Sequence, residues 1–479
     1  MTLACFAPGV WLFSGLLSAQ PPAIFQDGIA NGSSRVSTVL PFGALAPGSR
    51  IRLTGVRFGN HPTLIVKSGP LTFRLKSLKT GERTADFPLP RQLPTGNADL
   101  SVEAEGGESR VFAVRISAFA FGIHALRRVN RTVTLEGTGM GGDAPADLEV
   151  VAGGVAVLPE STHSGDAGID EIQFRIPDAV PRGCHLPVYV RTKSHVSNFV
   201  DLANLPGCQD DDWPVLSPTP KGSGSIIMLR SSLTEPAGVW TADSAYATFL
   251  TTVKQPVEAP LWFPLSSGQC RLQSSTEVLQ RDPFRLLRIN AAAHSSISAG
   301  PSILYNQRPV GVDGWGAYHA TLGGATPEMR RPKALFFEAG KTYTLAADEG
   351  KTGPFAVKAQ FVDDLEFSLA RDSNGDFKVD RAQPLTVRWL TRQPAVAVAI
   401  ESQTSSSIVE AVCAASGGAG QFNIPPDILR SLPPSDEMGL LTAYVAVASI
   451  SRPVRFRSKG LERGIASSVR FRVQRGAFY

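Results

Sequence analysis

Charge is scarce in this 479-residue chain: Asp, Glu, Lys and Arg make up 19% of it, against roughly 25% in a typical soluble protein. Long apolar runs are scarcer. Beyond the N-terminus no segment approaches the roughly 18 consecutive apolar residues that a membrane-spanning helix needs. There is no HExxH and no paired i, i+4 arrangement among the seven His (His61, His124, His163, His185, His195, His294 and His319), which argues against helix-borne zinc hydrolysis. Nothing matches the G-x-S-x-G nucleophile elbow or a P-loop, and no Cys carries a local catalytic signature. CxxC is missing, so a structural zinc site is not expected. Sustained helical periodicity is missing too, and 45 Gly and 36 Pro would interrupt it.

What is present fits a β protein. The hydrophobic fraction of 43% is enough to build cores and excludes disorder by composition. Apolar and polar residues alternate with period two in short segments broken by turn residues every 8–12 positions: Arg50–Thr54, Ala98–Val102, Leu186–Val190, Thr342–Leu345 and Val469–Val473. This pattern predicts sandwiches of short strands. One short helix is expected at Pro426–Leu432, with Pro at its start and Pro433-Pro434 beyond its end.

Residues 1–19 contain no charged side chain and end in Leu16-Leu17-Ser18-Ala19 before Gln20-Pro21-Pro22. They are expected to be a signal peptide cleaved after Ala19, although no Lys or Arg precedes the apolar run. The ordinary alternative is an apolar first strand. Export would remove Cys5 and leave Cys184, Cys208, Cys270 and Cys413, an even number in an oxidising compartment. Cys184 and Cys208 lie 24 residues apart around a strand-like stretch. They are the best pair, and the loop they close is worth about 3 kcal/mol in the chain-entropy view. Cys270 and Cys413 either pair or stay as two buried thiols; the sequence leaves both open.

An internal repeat organises the first 205 residues. Arg52-Leu53-Thr54-Gly55-Val56-Arg57-Phe58-Gly59 echoes Thr134-Leu135-Glu136-Gly137-Thr138-Gly139-Met140-Gly141, and Gly55 and Gly137 are 82 residues apart. Phe87-Pro88-Leu89-Pro90 echoes Phe174-Arg175-Ile176-Pro177, Leu93-Pro94-Thr95-Gly96 echoes Val180-Pro181-Arg182-Gly183, and Ser109-Arg110-Val111 echoes Ser197-Asn198-Phe199. One repeat is the size of one small sandwich, with Gly at tight turns.

The order Leu-x-Gly-x-x-x-Gly, then Ile-Pro-x-x-Val-Pro-x-Gly, then Val-Ser-Asn is similar to immunoglobulin-like IPT/TIG modules. The stretch from Gln173 to Cys208 resembles more closely the β modules repeated in secreted proteins of soil bacteria. Asp380–Trp389 and Cys413–Pro425 resemble the same group, and residues 20–117 match it least well. The resemblance implies all-β, immunoglobulin-like sandwiches, about four in a row: 20–117, 118–209, 215–360 and 361–479. It brings no catalytic residues.

Three features bear on ligands. Residues 452–479 hold eight basic side chains against Glu462 alone, a net +7 that leaves the other 451 residues at −2. In Arg455-Phe456-Arg457 and Arg470-Phe471-Arg472, strands would line one face with Arg and fill the other with Phe. These four Arg are candidate contacts for polyanions such as acidic polysaccharide, or else a solvated sheet face. Trp315 and Tyr318 form a candidate sugar-stacking pair, or belong to a core. Asp372–Asp380 begins like a calcium loop, but Phe377 stands where Gly is needed and Gln383 where the bidentate Glu belongs; a polar hairpin turn is the simpler expectation. The Gly137–Gly142 run continues a strand and reads as a turn, not a phosphate cradle. No resident metal or cofactor is expected. The function these features favour is non-catalytic adhesion or recognition outside the cell or in the periplasm, with polysaccharide or a surface protein as partner and nucleic acid disfavoured. A carbohydrate-binding or carbohydrate-active secreted protein and a purely architectural spacer are the alternatives.

Overall fold

The computed structural model describes residues 20–165, 168–183, 186–204, 219–235, 238–252, 267–275, 294–313, 316–325, 332–369, 377–403, 408–434 and 443–479. Residues 1–19, and with them the expected signal peptide, lie outside this set. The regular structure of the described residues is almost all strand, with one six-residue α-helix at Pro426–Ser431, at the place its flanking prolines indicated. No helix among the described residues is long and apolar enough to cross a membrane.

The architecture is a tandem of immunoglobulin-like β-sandwiches. In the first, the sheet of Ala23–Asn31, Arg50–Val56, Thr84–Pro88 and Lys79–Thr80 faces a sheet built on Leu71–Lys76, Thr63–Ser68 and Gly96–Ala104. Arg50–Val56 shows why the pair closes. Ile51 and Leu53 are fully buried while Arg50, Arg52 and Thr54 alternate outward, and the inward set meets Leu64, Val66, Phe87 and Leu100. The second sandwich repeats the plan with the sheets Gly122–Val129, Thr132–Thr138, Asp170–Arg175, Ser161–Ser164 and Val155–Val157, Glu149–Ala152, Leu186–Arg191, Val200–Leu202.

The sequence repeat is a repeat of roles. Arg50–Val56 and Thr132–Thr138 occupy equivalent central positions in their sheets, and Phe87 and Phe174 on the neighbouring strands are both fully buried. Ser109 Oγ accepts the Val102 N–H at 3.0 Å and donates to Arg110 O; Ser197 Oγ accepts the Val190 N–H at 2.8 Å and donates to Asn198 O. The second module adds a clamp: Asn198 accepts the Ile123 N–H at 2.8 Å and donates to Ile123 O at 2.9 Å. Arg110 stands at that place in the first module, which fits its poorer match.

The C-terminal half departs from separate modules. Among the described residues, eleven strands form one sheet, ordered Cys270–Ser275, Ile408–Ser416, Ala395–Gln403, Ala443–Ile450, Leu461–Phe478, Ser223–Glu235, Gly238–Thr252 and His294–Ser296, with three more strands paired onto it. Ser223–Glu235 runs parallel to Leu461–Phe478. One face carries two cores. The sheet of Arg308–Gly311, Ser302–Tyr305, Thr342–Ala347 and Phe355–Gln360 covers one of them, and Glu366–Ser368, Leu385–Leu390, Gln421–Ile424 and the helix cover the other. Residues from both sides of the expected divide at 360/361 share this sheet and both cores: Cys270 and Leu272 lie in the core of Val396 and Trp389, and Phe456, Leu461 and Ala466 in that of Tyr305 and Phe337. Continuous apolar strands such as Ala395–Ile400 allow this, because both of their faces are buried.

Phe361–Leu365 crosses between the two covering layers. Phe361 seats in one core and Leu365 in the other. Between them Asp363 meets Arg230 Nη1 and Arg470 Nε, each at 2.6 Å.

The modules are also tied together. Asn31 Nδ2 donates to Ala120 O and Thr138 O. Val36, Leu40 and Phe42 of the first module and Val151, Tyr189 and Phe199 of the second join the core built on Val396, Val398, Ile400 and Trp389.

Candidate ligand-binding surfaces

The four basic residues singled out in the sequence divide into two environments. Arg455 and Arg457 lie on the strand Val454–Ser458 and are exposed, while Phe456 between them is buried and stacks on Phe355 with ring centroids 4.7 Å apart. Here the expected alternation of charge and aromatic holds. The strand pairs with the start of Leu461–Phe478, so the two guanidiniums are presented by a backbone anchored through a core phenylalanine.

Arg470 corrects the expectation of a single basic face. Its side chain is only 7% exposed. Nε lies 2.6 Å from Asp363 Oδ1 as an ion contact, Nη2 donates to Ser232 Oγ at 2.8 Å, and Nη1 donates to Arg230 O at 3.2 Å. Burial pushes its pKa down to about 10, with Asp363 opposing the shift, so it stays charged at neutral pH and belongs to an internal network. Arg472, on the same face of the strand, is half-buried, with Nε enclosed and without a hydrogen-bond partner. Arg230 anchors the network: Nε and Nη2 meet Asp243 Oδ1 and Oδ2 at 2.7 and 2.9 Å. The Asp243 carboxylate, 0% exposed, also accepts the Phe336 and Phe337 N–H groups. These acids and bases hold the crossing segment to the sheet.

Tyr318 is likewise a core residue, 1% exposed. Its hydroxyl donates to Gly300 O at 2.7 Å and accepts the Ala299 N–H at 2.8 Å, and its ring meets Phe249 edge-on. It therefore offers no face to a sugar. Trp315 lies outside the described residues. So do Cys184 and Cys208, the expected pair. Cys270 and Cys413 do pair, directly opposite one another on adjacent antiparallel strands.

Of the calcium-like loop, residues 370–376 lie outside the described set. Phe377 and Val379 are buried in the core, and Asp380 Oδ1 accepts the Ala382 N–H. No group of three or more His, Cys, Asp or Glu placed to hold a metal occurs among the described residues. The glycine-rich run is folded as a turn: Asp170 Oδ2 accepts the Gly139 and Met140 N–H groups at 2.9 and 2.8 Å. Gly141 has φ +81° and sits so close to Ala118 O that a Cβ there would clash.

A second cluster joins modules. Asp427, on the helix, accepts the Tyr189 hydroxyl and Arg191 Nη1, both at 2.9 Å, and Arg191 Nε also reaches Glu149. Burial, reinforced by Asp427, raises the Tyr189 pKa, so its hydroxyl keeps its proton and donates. Sequence reasoning missed both clusters, because Asp363 and Asp427 are ordinary acids whose partners lie more than 100 residues away.

No family model and no curated protein matches the chain. Among solved structures it aligns with the SGBP-B from a complex xyloglucan utilization locus in Bacteroides uniformis at 13% identity and TM-score 0.17, covering 48% of this chain and 66% of that one. It aligns with the mixed-linkage glucan SGBP-B of Bacteroides ovatus, solved with a heptasaccharide, at 15% identity and TM-score 0.21, covering 32% and 40%. The FN1–FN3 domains of chicken CNTN1 align at 12% identity and TM-score 0.15, covering 72% and 100%. The chain thus spans less than two thirds of either SGBP-B. Scores this low tie it to none of these proteins.

Proposed function

We propose that the chain is a non-catalytic extracellular or periplasmic recognition protein of immunoglobulin-like, IPT/TIG-type modules, exported by residues 1–19. The carrying observation is how its buried ionisable groups are used. Asp243, Arg230, Asp363 and Arg470 fasten the two covering layers, and Asp427, Tyr189 and Arg191 fasten one module to another. Such ties make a stiff platform that presents fixed surfaces. Arg455 and Arg457 are the basic contacts on it, suited to an acidic polysaccharide by alternating charge on an anchored strand.

The test is binding of the chain from residue 20 to polygalacturonate, to neutral glycans and to cell-wall fragments. Salt-sensitive binding to polygalacturonate that weakens at least threefold in Arg455→Ser/Arg457→Ser supports the reading. Indifference to every ligand marks a spacer. Turnover of a glycan, abolished by one Asp or Glu substitution, marks an enzyme.

A further inference from the structure

On the outward sheet faces of the first two modules, charges are paired within the protein. In the first module Arg52 meets Asp86 and Arg74 meets Glu103; in the second Arg127 joins Glu136 and Glu171. The three-stranded layer of Glu366–Ser368, Leu385–Leu390 and Gln421–Ile424 behaves differently. Its inward side chains, Phe367, Val387, Trp389, Phe422 and Ile424, pack on the core of Val396 and Ile400. The other parity points outward. Strand register sets Glu366 opposite Leu390, Arg388 between Ser368 and Gln421, and Thr386 opposite Asn423.

Except for Thr386, these outward side chains are exposed, Leu390 by 68%. Thr386 Oγ1 donates to Asn423 Oδ1 at 2.8 Å, which leaves the Asn423 amide nitrogen facing solvent. Glu366, Ser368, Arg388 and Gln421 make no side-chain hydrogen bond or ion pair among the described residues. Glu366 and Arg388 lie diagonally across one strand pair, within reach of long side chains, and still stay apart. The layer thus holds an open set of donors and acceptors that the fold does not use, beside an exposed apolar side chain.

We propose that this face binds a neutral oligosaccharide. Sugar hydroxyls both donate and accept, and the face answers both: Glu366 accepts, Arg388 and Asn423 Nδ2 donate, and the Gln421 amide does either. Leu390 offers apolar area to the C–H face of a sugar ring. One acid and one base leave the face without net charge, so it does not attract a polyanion as Arg455 and Arg457 do. It spans about 10 Å across its strands and about 13 Å from Thr386 to Leu390 at the usual spacings. Trp389 fixes the layer from beneath, with Nε1 donating to Gly417 O at 2.9 Å. The proposal rests on the recognition reading above.

The experiment is isothermal titration of the chain from residue 20 with neutral hexasaccharides of glucose and of xylose, alongside polygalacturonate in the same preparation. The wild type binds at least one neutral hexasaccharide. Arg388→Ala and Gln421→Ala each weaken it about fivefold or more, the worth of one hydrogen bond. Both variants keep the wild-type melting temperature, because neither side chain is used by the fold. Neutral binding unchanged in either variant overturns the site. So does weakened binding that comes with a lowered melting temperature in both, since the face then serves the fold. If no neutral hexasaccharide binds while polygalacturonate does, the site falls and the recognition reading stands. If nothing binds, both fall.

Discussion

The first two modules and the C-terminal half bury apolar residues by different rules. In the first module a strand such as Arg50–Val56 has one buried and one half-exposed face. In the C-terminal half Ala443–Ile450 is buried at every position. There the residues sort by size across the sheet: Val396, Val398 and Ile400 face a sandwich core, while Ala395, Ala397 and Ala399 between them face the other way. The first arrangement makes a self-sufficient unit. The second makes strands that belong to two layers at once and holds the sequence segments 215–360 and 361–479 in one body.

The largest expected effect tests that unity. Cys270 comes from the earlier segment, yet its strand pairs with Ile408–Ser416 of the later one, and the disulfide to Cys413 spans 143 residues. A loop of that length is worth up to roughly 5 kcal/mol by chain entropy. Cys270→Ala/Cys413→Ala is expected to lose most of that in urea unfolding. Hydrogen exchange should speed up across 223–479 before 20–204. Equal loosening of both regions would erase the distinction.

Ion pairs give the next contrast. Asp243→Ala removes the bidentate partner of the buried Arg230, which keeps only Asp363, and frees two backbone donors, so a loss of about 3–5 kcal/mol is expected. Arg52 and Asp86 in the first module make an equally short contact of 2.7 Å, but their side chains are 25% and 20% exposed. Asp86→Ala should cost about 1 kcal/mol. Denaturation midpoints of the two variants decide it, and similar losses would mean that burial does not set the difference.

How much of this could be read from the sequence follows the same divide. Where one face is wet, period two shows through, and Gly55 and Gly137 mark equivalent turns; the first two sandwiches were legible. Arg455-Phe456-Arg457 was legible too, since its strand has a solvent face. Arg470-Phe471-Arg472 carries the same pattern on a strand covered on both sides, so an identical string became an internal ion network. Tyr318 failed for a similar reason: an aromatic beside polar residues looks alike in a groove and in a core, and only the backbone partners at Ala299 and Gly300 separate them.

The last contrast concerns pH and belongs to the second module alone. His195 is 6% exposed, its Nε2 donates to Phe121 O at 3.0 Å, and Phe119 packs edge-on against the ring. Burial pushes its pKa down to about 4, only partly offset by the Phe121 contact, against roughly 6.5 in an unfolded chain. The unfolded chain therefore binds this proton first. The stabilisation is fully present above pH 6.5 and is lost as pH falls towards 4, by about 3 kcal/mol at most. His195→Gln keeps a donor for Phe121 O without a titrating ring and should flatten the wild-type loss between pH 6.5 and 4. His124, also lowered by burial, is present in both proteins and cancels in the difference. The second module should open first in acid, seen as exchange at Ile123 and Val190 preceding exchange at Val398 and Val447. Simultaneous exchange in both regions would show that the ties through Tyr189 and Asp427 transmit the loss across the whole molecule.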